Sequence, residues 1–171
     1  MRTLFTMDAG DYDPQAPQVV RPSVRGILIT EAQIAMVHSR KYHYYKFPGG
    51  GMEPGEDQLA TLRREVEEES GIRILPESIR EYGMVPRREK MPEGTTLVQD
   101  NFYYLCQGEP KLGSQHLDPY EEEEGFTLEY VTPEYAIRVN RHADHGPKNQ
   151  NMLEREARVL ERLLDEGYFI D

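Results

Sequence analysis

The chain has little that would support a disulfide-linked, membrane-spanning or polyanion-binding protein. Its 171 residues include one cysteine, Cys106, so no disulfide can form within the chain. No apolar stretch reaches the roughly 20 residues that span a membrane, and residues 1–15 lack a signal-peptide core. Lysine and arginine total 20 against 31 acidic residues, a net charge of −11 that argues against long nucleic acid as a partner. The composition predicts a cytoplasmic protein with no membrane partner.

The length is that of one domain, which we expect to cover residues 1–171 because no stretch has the composition of a linker. Residues 1–21 form an acidic, proline-containing extension. Two roles stay open for it: an added edge strand, or the cover of a partner subunit in a homodimer. Apolar residues at positions i, i+4, i+7 and i+11 from Leu153 predict a C-terminal helix within residues 148–167.

Strand-like segments fill much of the region between the extension and this helix. Residues 24–30 and 34–38 are apolar on both sides of a polar break, which predicts a strand, a turn and a second strand in a central sheet. Further strands are expected at residues 79–85, 102–106 and 126–131.

The most informative stretch is a glycine-rich loop followed by an acidic helix. Residues 48–51 read Pro-Gly-Gly-Gly, and glycines let the backbone approach a ligand closely. The next segment predicts a helix that ends at Gly71, with Leu59, Leu62 and Val66 as its buried stripe.

Three carboxylates, Glu65, Glu68 and Glu69, share one side of this helix at spacings of i, i+3 and i+4. They repel one another in the absence of a cation. A hard divalent cation such as Mg²⁺ or Mn²⁺ reverses the sign of that interaction, because it takes oxygen ligands. The alternative is a solvated acidic helix, which does not account for the glycines or for Arg64.

The stretch resembles the Nudix box, G-x5-E-x7-R-E-U-x-E-E-x-G-U, where U is aliphatic. No fixed position departs from the pattern, which is met by Gly50, Glu56, Arg64, Glu65, Val66, Glu68, Glu69, Gly71 and Ile72. The order of elements over residues 22–165 agrees with the family. The resemblance implies an α/β protein of the Nudix fold, with a mixed β-sheet sandwiched between α-helices.

The resemblance also implies the chemistry: a pyrophosphohydrolase that cleaves a nucleoside diphosphate linked to another moiety, by attack of water at phosphorus. Its partner would be a small nucleotide. By the same resemblance, Glu65, Glu68, Glu69 and the backbone carbonyl of Gly49 would hold Mg²⁺ or Mn²⁺. Arg64 would lie on the other side of the helix and orient the box by pairing with Glu56.

The general base stays open between two sets of carboxylates. Family members use either a box glutamate, here Glu68 or Glu69, or a carboxylate from a later loop, here one within residues 121–124. In that loop Glu124 is also a candidate metal ligand. The alternative for the four glutamates is a solvated loop.

Candidate substrate contacts are the backbone of Gly50 and Gly51 and the basic, aromatic loop ahead of the glycines. In that loop Arg40 could meet phosphate, and Tyr44 and Tyr45 could stack on a base. The alternative is a hairpin arm with half-buried tyrosines.

Substrate identity depends on weaker signals than the box. In the family, a proline downstream of the box accompanies action on ADP-ribose, and Pro86 lies near that position, although a turn proline is the commoner explanation. We therefore expect ADP-ribose or a nucleotide sugar ahead of a nucleoside triphosphate pyrophosphatase. A non-catalytic nucleotide sensor is the further alternative.

Overall fold

The computed structural model describes residues 1–170, which form two β-sheets flanked by helices. The strands are β1 Met7–Asp8, β2 Gln18–Val20, β3 Ser23–Ile27, β4 Ile29–Thr30, β5 Gln33–Ser39, β6 Tyr44–Lys46, β7 Gly49–Gly51, β8 Arg80–Lys90, β9 Thr96–Leu105 and β10 Phe126–Val131. The first sheet is mixed and has the order β1-β8-β9-β3-β7, with β2 and β3 parallel to successive parts of β9. The second sheet has the order β10-β5-β4, with β6 also paired to β5.

The predicted strand, turn and strand are present, but they are divided between the two sheets. Residues Ser23–Ile27 pair with β9 in the first sheet, so only Ile29–Thr30 remain to pair with β5 in the second. The expectation of one central sheet is therefore corrected to two, although the α/β class is confirmed.

Within residues 1–170, four α-helices cover the sheets: α1 Gln58–Ser70, α2 Pro119–Glu124, α3 Pro133–His142 and α4 Gln150–Asp165. Helix α1 begins where the Asp57 side chain accepts from the Ala60 amide and ends at Gly71, whose φ of 81° is left-handed. Leu62 and Val66 are fully buried beneath it. The predicted stripe is wrong for Leu59, which lies in the first turn and is 45% exposed.

The core lies on both faces of the sheets. One cluster joins the sheets to α3 and α4 and includes Met36, Phe47, Tyr103 and Leu160. A second joins them to α1 and includes the buried Cys106. In α4 the predicted stripe is buried except at its last position, where Leu163 is buried and Leu164 is partly exposed.

The extension takes the first of its two expected roles, because β1 pairs in parallel with β8 and β2 with β9. Leu4 is buried against Gly83, where a Cβ atom would lie 2.5 Å from Leu4 Cδ2. Arg2 then reaches Glu166, just beyond α4, through two hydrogen bonds of 3.0 and 2.8 Å. Residues near the two ends of the chain are thus tied together. No helix within residues 1–170 is long and apolar enough to cross a membrane.

Candidate active site

The glycine strand β7 lies between the carboxylates of α1 and strand β3, and at two positions it is too close to them for any side chain. A Cβ atom on Gly50 would lie 2.4 Å from Glu65 Oε2, and one on Gly49 would lie 2.2 Å from the Val24 carbonyl oxygen. Gly49 also has a φ of 147°, which side chains rarely permit. The loop and the acidic helix therefore form one surface.

Glu69 is the most deeply buried of the three carboxylates, with 1% of its surface exposed. Its Oε2 atom lies 2.7 Å from Lys46 Nζ, and its Oε1 atom accepts from the Gly49 amide at 3.2 Å. Burial raises the pKa of Glu69 to about 7; Lys46 acts to lower it and nearby Glu121 to raise it further. Both oxygens of Glu69 are thus engaged, one by a side chain of β6 and the other by the backbone of β7.

Lys46 is a site residue that the sequence reasoning passed over. Its ammonium is also 3.4 Å from the Gly49 carbonyl oxygen and lies 5.3 Å from the centre of the Phe126 ring. A positive charge therefore sits between a carbonyl and a carboxylate that were both predicted to bind metal. The alternation of β6 was an available signal, because it directs Lys46 to the opposite face from its neighbours.

Arg64 supplies a second positive charge among the carboxylates. Its guanidinium pairs with Glu56 through bonds of 2.6 and 2.8 Å, and the same group reaches Glu65 at 2.7 Å and Glu68 at 3.2 Å. Arg64 thus contacts Glu56 as expected, but it is not separated from the other glutamates as the sequence analysis expected. Hydrogen bonds from Arg64 lower the pKa of Glu56 to about 2, and the opposing effect of burial is smaller.

These contacts decide how the site relates to a divalent cation. Within residues 1–170, no three His, Cys, Asp or Glu side chains converge as a ready metal-binding group. The reason is visible at α1: Arg64 lies between Glu65 and Glu68, while Glu69 turns toward Lys46. The donors are oxygens that already attract cationic groups, which is the chemistry that Mg²⁺ and Mn²⁺ require. The oxygens of these residues fit such an ion once the Lys46 and Arg64 side chains move away from them.

The acidic run after residue 118 is a short helix, not a solvated loop. In α2 the Glu121 carboxylate accepts from the Asp118 amide at 2.8 Å, and both Glu121 and Glu124 are buried. Only Glu122 and Glu123 face solvent. Glu121 is close enough to raise the pKa of Glu69. The solvated-loop reading is therefore wrong for the two buried members.

Glu124 has partners that leave little capacity for a metal ion. Its Oε1 atom accepts from Ser39 at 2.9 Å and from Tyr44 at 2.8 Å, and its Oε2 atom lies 2.8 Å from Lys148. Burial would raise the pKa of Glu124, but these donors hold it below the usual range. In this structure Glu124 joins β5, β6 and the segment before α4.

Of the predicted substrate contacts in the loop ahead of the glycines, the two tyrosines are buried and the arginine is exposed. Tyr44 and Tyr45 are 1% and 2% exposed, and their hydroxyls donate to Glu124 and Glu129. Neither ring is open to stack on a base in this structure, which corrects that prediction. Arg40 is exposed, and its contact with substrate stays a prediction.

An exposed aromatic ring does lie near the carboxylates, on α2. Tyr120 is 55% exposed and meets Phe126 edge-on, with 6.2 Å between ring centres. Burial raises the pKa of the Tyr120 hydroxyl, and the nearby charges of Glu121 and Glu69 raise it further. Sequence reasoning missed Tyr120 because the glutamates that follow it indicated a solvated loop.

Comparison with known proteins agrees with the fold. A family model of the NUDIX domain matches residues 20–155. A crystal structure of a MutT protein from Bacillus halodurans superposes with a TM-score of 0.58 at 20% identity, covering 82% of each chain. A MutT NUDIX hydrolase from Burkholderia pseudomallei gives 0.57 at 14% identity, covering 83% of this chain and 98% of its own. A NUDIX hydrolase from Nitrosomonas europaea gives 0.52 at 20% identity, covering 80% of this chain and 87% of its own.

No curated protein matches the sequence. The domain match nevertheless covers most of the chain, and it includes the glycine loop, α1 and α2. This chain therefore belongs to the Nudix family.

Proposed function

We propose that the protein is a metal-dependent hydrolase that cleaves the diphosphate of a small nucleoside diphosphate derivative. The observation that carries the proposal is the arrangement of the Gly49 carbonyl, Glu65, Glu68 and Glu69 around two side-chain cations, Lys46 and Arg64. Oxygen donors gathered around positive charge are suited to Mg²⁺ or Mn²⁺. Such an ion would neutralise charge on the diphosphate.

The residues of the chain divide into holding and reacting groups. Glu65, Glu69 and the Gly49 carbonyl are proposed as ligands, and Arg64 with Glu56 orients α1 against the loop. Glu56 is suited to this role because it also accepts from Thr61 Oγ1 at 2.7 Å and from the Glu53 amide at 3.0 Å. The backbone of the partly buried Gly50 and the exposed Gly51 remains the proposed contact for the phosphates.

Glu68 is the box glutamate best placed to act as general base. Its side chain is 41% exposed and its one contact with Arg64 is at 3.2 Å, whereas Glu69 has both oxygens engaged. A base needs an oxygen that can reach a water molecule. Glu121 is the alternative from α2, since it lies beside Glu69.

Substitutions in α1 test these roles with a matched control. Glu68→Gln should lower turnover by about a hundredfold or more while Mn²⁺ still binds, because an acid–base group contributes that much. Glu69→Gln should weaken both turnover and Mn²⁺ binding. Glu67→Gln is the control, because Glu67 pairs with Arg73 away from the carboxylates and should retain activity. Full turnover in Glu68→Gln would refute the base, and turnover in the presence of a chelator would refute the metal.

The substrate proposed first is ADP-ribose or a nucleotide sugar. Pro86 lies inside β8, opposite Asp100, so the turn explanation for this proline is corrected. A nucleoside monophosphate plus a sugar phosphate among the products would support this substrate class. A monophosphate plus pyrophosphate would instead support a nucleoside triphosphate pyrophosphatase, and no turnover of either set with metal present would support a nucleotide sensor. A cytoplasmic location and a homodimer stay predictions of the sequence.

A further inference from the structure

The strand that leads into the glycine loop has one edge without a strand partner in the described sheets. Strand β6 pairs with β5 alone. Its other edge carries the backbone groups of Tyr45, and the backbone of Phe47, just after the strand, continues this edge; both residues are buried. Buried backbone groups without partners are costly, so this edge must be satisfied in another way.

Side chains from α3 and α4 take the place of the missing strand. Asn140 of α3 accepts from the Tyr45 amide and donates to the Tyr45 carbonyl, both at 2.8 Å. Glu156 of α4 accepts from the Phe47 amide at 3.3 Å, and Arg25 donates to the Phe47 carbonyl at 3.4 Å. Each backbone group thus meets a side chain of the opposite hydrogen-bonding character.

The supporting side chains are themselves fixed. Asn140 is 2% exposed, and its backbone carbonyl contacts His145 Nε2 at 2.9 Å. Glu156 is fully buried, accepts from the Tyr103 hydroxyl at 2.8 Å and lies 3.3 Å from Arg155. Neither side chain can move without disturbing the core between the sheets and the two helices.

The contacted backbone flanks the groups at the acidic site. Lys46 lies between Tyr45 and Phe47 and directs its ammonium to Glu69. The Gly49 carbonyl follows two residues after Phe47. A shift of this segment would therefore move a cation and a proposed metal ligand together.

We propose that Asn140 and Glu156 are positioning residues, which hold residues 45–47 so that Lys46 and the Gly49 carbonyl face the carboxylates of α1. The contacts that hold residues 45–47 do not depend on the proposed function; only their consequence for catalysis rests on it. Neither side chain touches the carboxylates of α1 through the contacts described above. Their effect passes through the backbone of β6.

The wild-type protein provides the first test, because it needs neither metal nor substrate. Hydrogen exchange followed by NMR should show the Tyr45 and Phe47 amides as protected as the amides that pair β5 with β10. Exchange at the rate of an open strand edge would overturn the proposal. This outcome is independent of whether the protein hydrolyses any nucleotide.

The second test uses Asn140→Asp, which keeps the acceptor for the Tyr45 amide and replaces the donor to the Tyr45 carbonyl by an oxygen. Mn²⁺ affinity measured by calorimetry should fall by about tenfold, because the Gly49 carbonyl is a proposed ligand and tenfold is the lower range for losing a group that orients a metal ligand. Val139→Ala is the control: Val139 is the neighbouring buried residue of α3 and does not bond to β6. It should lower the melting temperature and leave Mn²⁺ affinity within about twofold.

Equal loss of Mn²⁺ affinity in both variants would overturn the positioning role, because it would then reflect general destabilisation. Unchanged affinity in a folded Asn140→Asp would overturn it as well. If the wild-type protein neither binds Mn²⁺ nor shows metal-dependent turnover, the proposed function fails, while amide exchange still decides whether the edge is held.

Discussion

At the scale of single residues, Lys46 and Arg64 occupy positions where a metal ion would compete with them. Lys46 joins Glu69 and the Gly49 carbonyl, and Arg64 joins Glu65 and Glu68. The two cations neutralise carboxylates that would otherwise repel one another on one side of α1. The acidic site therefore holds compensating charge of its own.

Removing the Lys46 charge should destabilise the metal-free protein. Lys46→Met leaves Glu69 buried without its partner, which costs up to about 3–5 kcal/mol, reduced as Glu69 takes up a proton. Added Mn²⁺ should restore more stability in this variant than in the wild type. Chemical denaturation with and without Mn²⁺ measures both effects. Lys41→Met is the control, because the Lys41–Glu123 pair is exposed and screened by solvent, so its loss should change stability little. Equal responses to Mn²⁺ in variant and wild type would contradict the competition.

Glu56 should make the free energy of unfolding decrease as the pH falls into the acid range. Its folded-state pKa of about 2 lies below the ordinary value of 4.5, because Arg64 holds it ionised. The unfolded chain therefore binds this proton more readily, and the stabilisation is present above about pH 4.5 and lost as pH falls toward 2. The difference in free energy of unfolding between wild type and Glu56→Gln should shrink across that window in urea titrations. A difference that stays constant with pH would show that Glu56 does not retain this depressed pKa.

At the scale of elements, the end of α1 depends on its close approach to the segment before α2. Gly71 ends the helix, and its amide and carbonyl bond to Glu67 and to the Gly113 amide, each at 2.8 Å. A Cβ atom on Gly71 would lie 2.6 Å from the Gly113 carbonyl oxygen. The helix that carries the carboxylates and the segment that leads to Glu121 are thus connected at this glycine, and the His116 amide adds a bond to the Glu68 carbonyl.

Two glycines with the same φ angle allow the cost of a strained backbone to be distinguished from the cost of a steric contact. Gly71 and Gly55 both have a φ of 81°, but a Cβ atom on Gly55 would meet nothing within 4 Å. Gly55→Ala should cost about 1 kcal/mol from its left-handed backbone alone. Gly71→Ala should cost more, by about 1–3 kcal/mol, because the Gly113 backbone must also shift. Thermal unfolding of both variants measures the difference, and equal losses would contradict the contact.

The sequence was sufficient for elements whose signals are local. Gly71 ends α1 as predicted, and the spacing of the box brought Glu65 and Glu69 against the glycine loop. The sequence left open whether Tyr44 and Tyr45 are buried, because their hydroxyls bond to Glu124 and Glu129, 80 and 84 residues away. The helix α2 did have a local signal, a capping box between Asp118 and Glu121, but the run of four glutamates concealed it.

At the scale of the whole molecule, metal binding should appear as stability. An ion that binds only the folded state stabilises it by mass action, by about 2.7 kcal/mol at a hundred times its dissociation constant. Mg²⁺ or Mn²⁺ should therefore raise the melting temperature, and the rise should shrink in Glu65→Gln. An unmoved melting temperature at concentrations that support turnover would mean that the ion binds only with substrate.

The contacts of the first residues also constrain the order in which the chain can fold. Strand β1 pairs with Arg87 and Arg88, Leu4 packs on Gly83, and Arg2 bonds to Glu166. During synthesis these partners leave the ribosome long after residues 1–8 have emerged. The opening segment must wait unpaired and dock late, onto a sheet that β8 and β9 have already built, as contacts distant in sequence form slowly.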